Sequence, residues 1–190
     1  MTKLTTPKVE SGKEASAFNL LSAHDNNHYN LEDFRNQSGL VVAFICNHCP
    51  YVKAIVKRMA GEAKKMQEMG IGFIAINAND AIKYPDDSFE MMTVFAMQYK
   101  FSFPYLHDAT QKVATQYGAI CTPDIFGFDS KLKLRYRGRF DEHPFINGQQ
   151  RKNNKSHNSE LFRAMQDIVQ YGEYQNDQIA SIGCSIKWAE

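Results

Sequence analysis

Cys46-Asn47-His48-Cys49 sets two thiols two residues apart, with an imidazole directly before the second. A thiolate is both a nucleophile and a metal ligand, so the pair admits dithiol/disulfide exchange or half of a zinc site. A structural zinc site takes four ligands, usually from two close pairs, whereas the other cysteines, Cys121 and Cys184, stand singly and far apart. Exchange is therefore the favoured reading. Cys46 is read as the nucleophile: at a helix start, unpaired N–H groups and the positive end of the dipole would lower its pKa. Cys49 would then attack a mixed disulfide on Cys46 and release the product. His48 is placed to donate to the Cys46 thiolate, or to add positive charge when protonated.

Those roles require a strand before the pair and a helix after it. Residues 40–45 are six consecutive apolar side chains without alternation, which suits a strand covered on both faces. Beyond Pro50 the period changes. Val52, Ile55, Val56, Met59, Ala60, Ala63 and Met66 recur at helical spacing, opposite Lys53, Lys57, Arg58, Glu62 and Lys64. Pro50 fits the first helical turn, where a missing N–H costs little. Gly70 then closes the helix and residues 71–76 form a second buried strand, giving a strand-helix-strand unit with parallel pairing.

The remaining chain supplies the frame. Residues 77–87 form a polar loop at the end of the sheet where Cys46 emerges, a position from which loops line sites. Asp87 and Glu90 read as a capping box for a second helix, with Phe89, Met92, Ala96 and Tyr99 facing inward and Met91, Met92 and Met97 as core filler. Residues 104–106 are a short strand, and Asp108 with Gln111 opens a third helix that ends at Gly118. Cys121-Thr122-Pro123 leads into a hairpin of residues 125–129 and 132–136. An earlier hairpin turns at Asp25-Asn26-Asn27. Residues 140–157 read as a polar surface insertion, and Leu161, Ala164, Met165, Ile168 and Val169 mark a last helix stopped at Gly172. The organisation expected is a mobile tail over residues 1–16, one domain over 17–172 and a C-terminal tail over 173–190.

Composition narrows the partners. With 43% hydrophobic residues the chain is globular, and a net charge of +1 with scattered Lys and Arg gives no electrostatic case for nucleic acid or an anionic membrane. No apolar run is long enough to span a bilayer, and the first sixteen residues lack the apolar core of a signal peptide. The reading is cytoplasmic, a compartment where a Cys-x-x-Cys is catalytic more often than structural.

The 46–49 unit between its strand and helix, together with Thr122-Pro123 before a hairpin, resembles the thioredoxin superfamily in its peroxiredoxin-like branch, related to alkyl hydroperoxide reductase and thiol-specific antioxidant proteins. The resemblance covers residues 18–172, and residues 181–188 look like an ending found in that branch. It implies an α/β thioredoxin-like three-layer fold with a mixed central sheet, an N-terminal β-hairpin extension and a C-terminal helix plus tail. It further implies a cis Pro123 beside the cysteines, and Thr122 backbone groups free to pair with an extended substrate. Asn47, Pro50, Thr122 and Pro123 become substrate-binding residues. Electrons would pass to or from protein or small-molecule thiols and disulfides, with recycling by a reductase system and no metal or organic cofactor. A histidine before the second cysteine is similar to DsbA-type oxidants and implies a potential between about −120 mV and the roughly −270 mV of thioredoxin.

Departures from the family pattern define the alternatives. Leu40 and Ile45 replace thioredoxin's buried aspartate and tryptophan, which removes the usual acid/base helper for the second cysteine. Cys49 falls where peroxiredoxins carry the peroxide-attacking cysteine, while Cys46 replaces their threonine, Val42 their proline, and Pro123 stands at or beside their arginine. A thiol peroxidase using Cys49 is thus one alternative, with Arg137 and Arg139 either its substitute cations or solvated surface residues. A non-catalytic redox-sensing or protein-binding module is another. Cys121 and Cys184 are candidate auxiliary thiols: Cys121 near the pair or a small buried hydrophobe, Cys184 resolving or inert.

Overall fold

Residues 2–8, 10–141, 145–146, 149–150 and 158–189 are described by the structure, a computed structural model. The chain begins with β1 (Lys3–Thr5) and the hairpin β2 (Asn19–Ser22) and β3 (His28–Asn30), followed by a 3-10 turn at Leu31–Phe34 capped by Asn30. The reactive segment lies between β4 (Gly39–Phe44) and α1 (Pro50–Glu68). Then come β5 (Ile71–Asn77), α2 (Phe89–Gln98), β6 (Tyr105–His107) and α3 (Lys112–Tyr117). The second half contains β7 (Cys121–Thr122), β8 (Asp124–Asp129), β9 (Leu134–Gly138), β10 (Phe145–Ile146), β11 (Gln149–Gln150), α4 (Glu160–Tyr171) and β12 (Ile182–Ser185).

Seven strands make the central sheet in the order β3-β2-β6-β5-β4-β8-β9. β4 pairs parallel with β5, and β5 with β6, while the remaining pairs are antiparallel, so the sheet is mixed. The unbroken apolar run of β4 is explained by its place in the middle, buried on both faces. Val41, Ala43 and Ile45 pack with α1, α2 and α4, whereas Leu40, Val42 and Phe44 pack with α3 and the 3-10 turn. That gives the three-layer α/β fold the sequence implied. α4 packs closely over Gly127, where a Cβ would lie 2.7 Å from Met165 Sδ. Among the described residues no helix is long and apolar enough to cross a membrane.

A second, three-stranded sheet, β1-β12-β7, joins both ends of the chain to the loop before Pro123. Residues 3–5, expected in a mobile tail, are an edge strand here, and Glu14 bridges to Lys133. The C-terminal tail likewise contains a strand, β12.

Other local expectations change for identifiable reasons. Asp87 does not cap α2; Ser88 does, accepting from Met91 N, because Asp87 turns inward. Phe95 fills the core of that helix, leaving Met91 42% and Met97 70% exposed, so neither is core filler. Asp108 accepts from Ala114 N, and α3 starts at Lys112, after Gln111 in the left-handed region at φ 60°. Glu62, placed on the polar side of α1, is buried beneath the start of α4, where Arg58 and the Ser159 amide donate to it. Of the insertion expected over 140–157, Phe140 is buried and Asp141 pairs with Arg58; residues 142–144, 147–148 and 151–157 lie outside the described residues.

Candidate active site

β4 stops at Phe44, and the chain turns through residues 45–49 before Pro50 takes the first position of α1. Cys49 is the N-cap, with an extended backbone at φ −66° and ψ 124°; Cys46 lies a further three residues back. The facing wall is the cis Thr122-Pro123 peptide. Thr122 touches both cysteines: its hydroxyl is 3.3 Å from Cys46 Sγ and its carbonyl oxygen 3.2 Å from Cys49 Sγ. On Cys49 a third thiol arrives, Cys184 Sγ at 3.2 Å, carried by β12. All four cysteines are thiols, and Cys46, Cys49 and Cys184 are 1%, 0% and 3% exposed.

A buried carboxylate organises the other side of the turn. Asp87 Oδ1 accepts from the Asn47 amide at 2.7 Å and from Asn77 Nδ2 at 3.3 Å. Its Oδ2 lies 2.7 Å from His48 Nδ1 and accepts from Asn79 Nδ2 at 2.7 Å. Burial pushes the Asp87 carboxyl up, but the hydrogen bonds from His48, Asn79 and Asn47 together overcome it and hold the group below its ordinary range. The same bond to Asp87 outweighs burial at His48 and raises the imidazole, which stacks on Tyr84 at 5.5 Å. Asn47 reaches the Asp86 carbonyl with Nδ2 and accepts from Tyr105 Oη, pinning the turn.

Charge within the thiol cluster is ordered opposite to the expectation for Cys46. Hydrogen bonds from Cys184 and Cys46 lower Cys49 against the effect of burial. Cys46 is raised, first by its hydrogen bond with Cys49, then by burial and the charge of Asp87. The reason is positional, because Cys49 rather than Cys46 sits at the helix N-terminus with a thiol on either side. Thr122 Oγ1 opposes the rise at Cys46, being placed to donate to a thiolate there.

Cys46, Cys49, His48, Asn47, Thr122 and Pro123 therefore converge, with Pro50 at the rim as the exposed first residue of α1. Cys121 does not join them. Its thiol donates to the Pro123 carbonyl at 3.6 Å, and burial pushes it up, the behaviour of a small core side chain. The Thr122 backbone, expected to be open for substrate, pairs with Cys184. Arg137 is buried on Asp124 at 2.9 Å and on the Gly118 carbonyl at 2.7 Å, and Arg139 pairs with Glu160. Cys46 Sγ, a His48 nitrogen and an Asp87 oxygen lie within 4.8 Å of one another, a spacing that could hold a cation. Both Asp87 oxygens already accept protein donors.

Residues 11–137 match the AhpC/TSA family. The chain belongs to that family. Membership supports redox chemistry at thiols. Among solved structures, an uncharacterised conserved protein from Geobacillus kaustophilus is 38% identical with a TM-score of 0.89, covering 100% of this chain and 97% of its own. A hypothetical protein from Sinorhizobium meliloti 1021 is 35% identical with a TM-score of 0.86, covering 97% and 98%. The thioredoxin domain of a thiol-disulfide oxidoreductase from Bacteroides vulgatus, at 16% identity and a TM-score of 0.58 over 68% and 89%, shares the fold. No curated protein matches the chain at a significant level.

In this AhpC/TSA chain the site residues missed from sequence are Asp87, Asn77, Asn79 and Tyr105. A signal existed for the first three, which all lie in the polar stretch 77–87 at the end of the sheet where Cys46 emerges. Nothing local pointed to Tyr105 or to the contact between Cys49 and Cys184.

Proposed function

We propose that the chain is a thiol-disulfide oxidoreductase working through Cys46 and Cys49. The observation that carries this reading is the placement of both thiols against Thr122 of the cis peptide, with Cys46 Sγ 3.3 Å from a hydroxyl that can stabilise its thiolate. Cys49 holds the lower pKa of the two, so Cys46 reacts as the minority thiolate, formed when its proton passes to Cys49 across their hydrogen bond. It attacks one sulfur of a substrate disulfide, forming a mixed disulfide and expelling the first thiolate. Cys49 then attacks Cys46 Sγ, the second substrate thiolate leaves with the proton Cys49 gives up, and a Cys46–Cys49 disulfide remains. The substrate gains two electrons, and a reductant restores the pair; reversed, the same steps oxidise a dithiol. His48, held by Asp87, contributes positive charge beside Cys46. Because β12 occupies the edge of Thr122, small-molecule disulfides suit the site better than extended peptides.

Peroxide reduction is disfavoured, since both arginines offered as substitutes for the family's O–O-polarising arginine are held in ion pairs. The test is turnover of oxidised glutathione, a model protein disulfide and hydrogen peroxide by the wild type and by Cys46→Ser. Loss of disulfide turnover in Cys46→Ser, with negligible peroxide consumption by either, supports the proposal. Rapid peroxide consumption by Cys46→Ser, with sulfenic acid at Cys49, reverses the roles.

A further inference from the structure

Cys49 has a thiol neighbour on two sides, yet exchange as described uses one of them. Cys184 Sγ is 3.2 Å from Cys49 Sγ, although 135 positions separate the residues. The approach is built by backbone: Cys184 stands opposite Thr122 in the β12–β7 ladder, the same residue whose carbonyl contacts Cys49. Gly183 makes that register possible, because a Cβ on it would lie 2.1 Å from the Thr122 carbonyl oxygen. Ser181 Oγ donates to the Pro123 carbonyl at 2.6 Å, and the Lys187 amide donates to Asn79 at 2.9 Å. The strand is thus fastened on both sides of its cysteine. Cys121, on the neighbouring rung opposite Ser185, points its sulfur at Pro123 instead, so the ladder selects one thiol for Cys49.

We infer that Cys184 is a third redox thiol, an exchange partner for Cys49 tethered on the C-terminal strand. The inference rests on the exchange reading of the Cys46–Cys49 pair. After substrate reduction, the Cys184 thiolate attacks Cys49 Sγ. A Cys49–Cys184 bond forms, the Cys46–Cys49 bond breaks with its electron pair left on Cys46, and the proton lost by Cys184 goes to Cys46. No net oxidation occurs. The disulfide moves to the tail, and Cys46 returns to the thiol form.

The experiment is disulfide mapping by mass spectrometry, after alkylation, on full-length Cys46→Ser treated with one equivalent of diamide, which takes up the two hydrogens lost when a disulfide forms. Loss of alkylation at both Cys49 and Cys184, with an intramolecular peptide joining them, is the expected result. Alkylation of Cys49, Cys121 and Cys184 in full, or only intermolecular disulfides, overturns the inference. Gly183→Ala, which forces the strand off Thr122, is predicted to abolish most of the Cys49–Cys184 product in the Cys46→Ser background. The same change in the wild-type background should still give Cys46–Cys49, which shows that the site has folded; an undiminished Cys49–Cys184 yield in the double variant counts against the register argument. Failure of the exchange reading is seen separately, in the turnover of Cys46→Ser.

Discussion

Among the described residues Asp87 is bonded by one imidazole and a set of amides and by no lysine or arginine, so its charge and that of His48 depend on each other. Replacing it tests that dependence. In Asp87→Asn the His48 titration midpoint, followed by NMR of the ring proton, should fall from its raised position toward or below the ordinary value; an unchanged midpoint would mean that Asp87 does not hold the imidazolium. The sign of the stability effect follows from the two shifts. Asp87 is lowered on folding, so its contribution is present above the unfolded carboxyl value and is lost as pH falls through the folded one. His48 is raised, so its contribution is present below the unfolded imidazole value and fades as pH rises through the folded one. The pair is therefore worth most between about pH 4 and about pH 6.5. Urea unfolding of the wild type and Asp87→Asn across pH should show the largest difference in that window and a shrinking one on either side.

β9 and its neighbours illustrate an element held by a buried ion pair. Arg137 lies over the Phe126 ring at 4.6 Å and bonds Asp124, whose carboxyl burial pushes up despite the guanidinium. Removing the cation leaves a buried carboxylate without its partner, and Arg137→Ala should cost about 3–5 kcal/mol in urea unfolding. A loss near zero would mean that the pair is structurally idle. The elements themselves were readable where they were long. β4 and β5 declare themselves as apolar runs and α1 by its repeated helical spacing, and Gly70 and Gly172 mark helix ends with positive φ as expected. The β1-β12-β7 sheet could not be read, because strands of three, four and two residues are too short to display alternation. Its pairings are also set by the tertiary fold rather than by neighbours in sequence.

At the scale of the whole molecule, the same contrast governs the site. Cys46, Cys49, Thr122 and Pro123 were readable because each belongs to a local motif, whereas Asp87 and Cys184 reach the cysteines only when distant elements dock. Seven central strands position the thiols, and the small end-to-end sheet seals them. A chain ending at residue 180 should retain the central sheet but expose the pair, so Cys46 and Cys49 should react with iodoacetamide much faster than in the full chain; equal rates would show that β12 does not cover them. The sealing strand has a consequence for biosynthesis. Translation delivers Cys46 and Cys49 long before Ile182–Ser185, so a nascent chain carries an open dithiol until that strand has emerged from the ribosome. Until then the thiols meet the surrounding redox pool unshielded, and the cover over them closes only when that late strand docks.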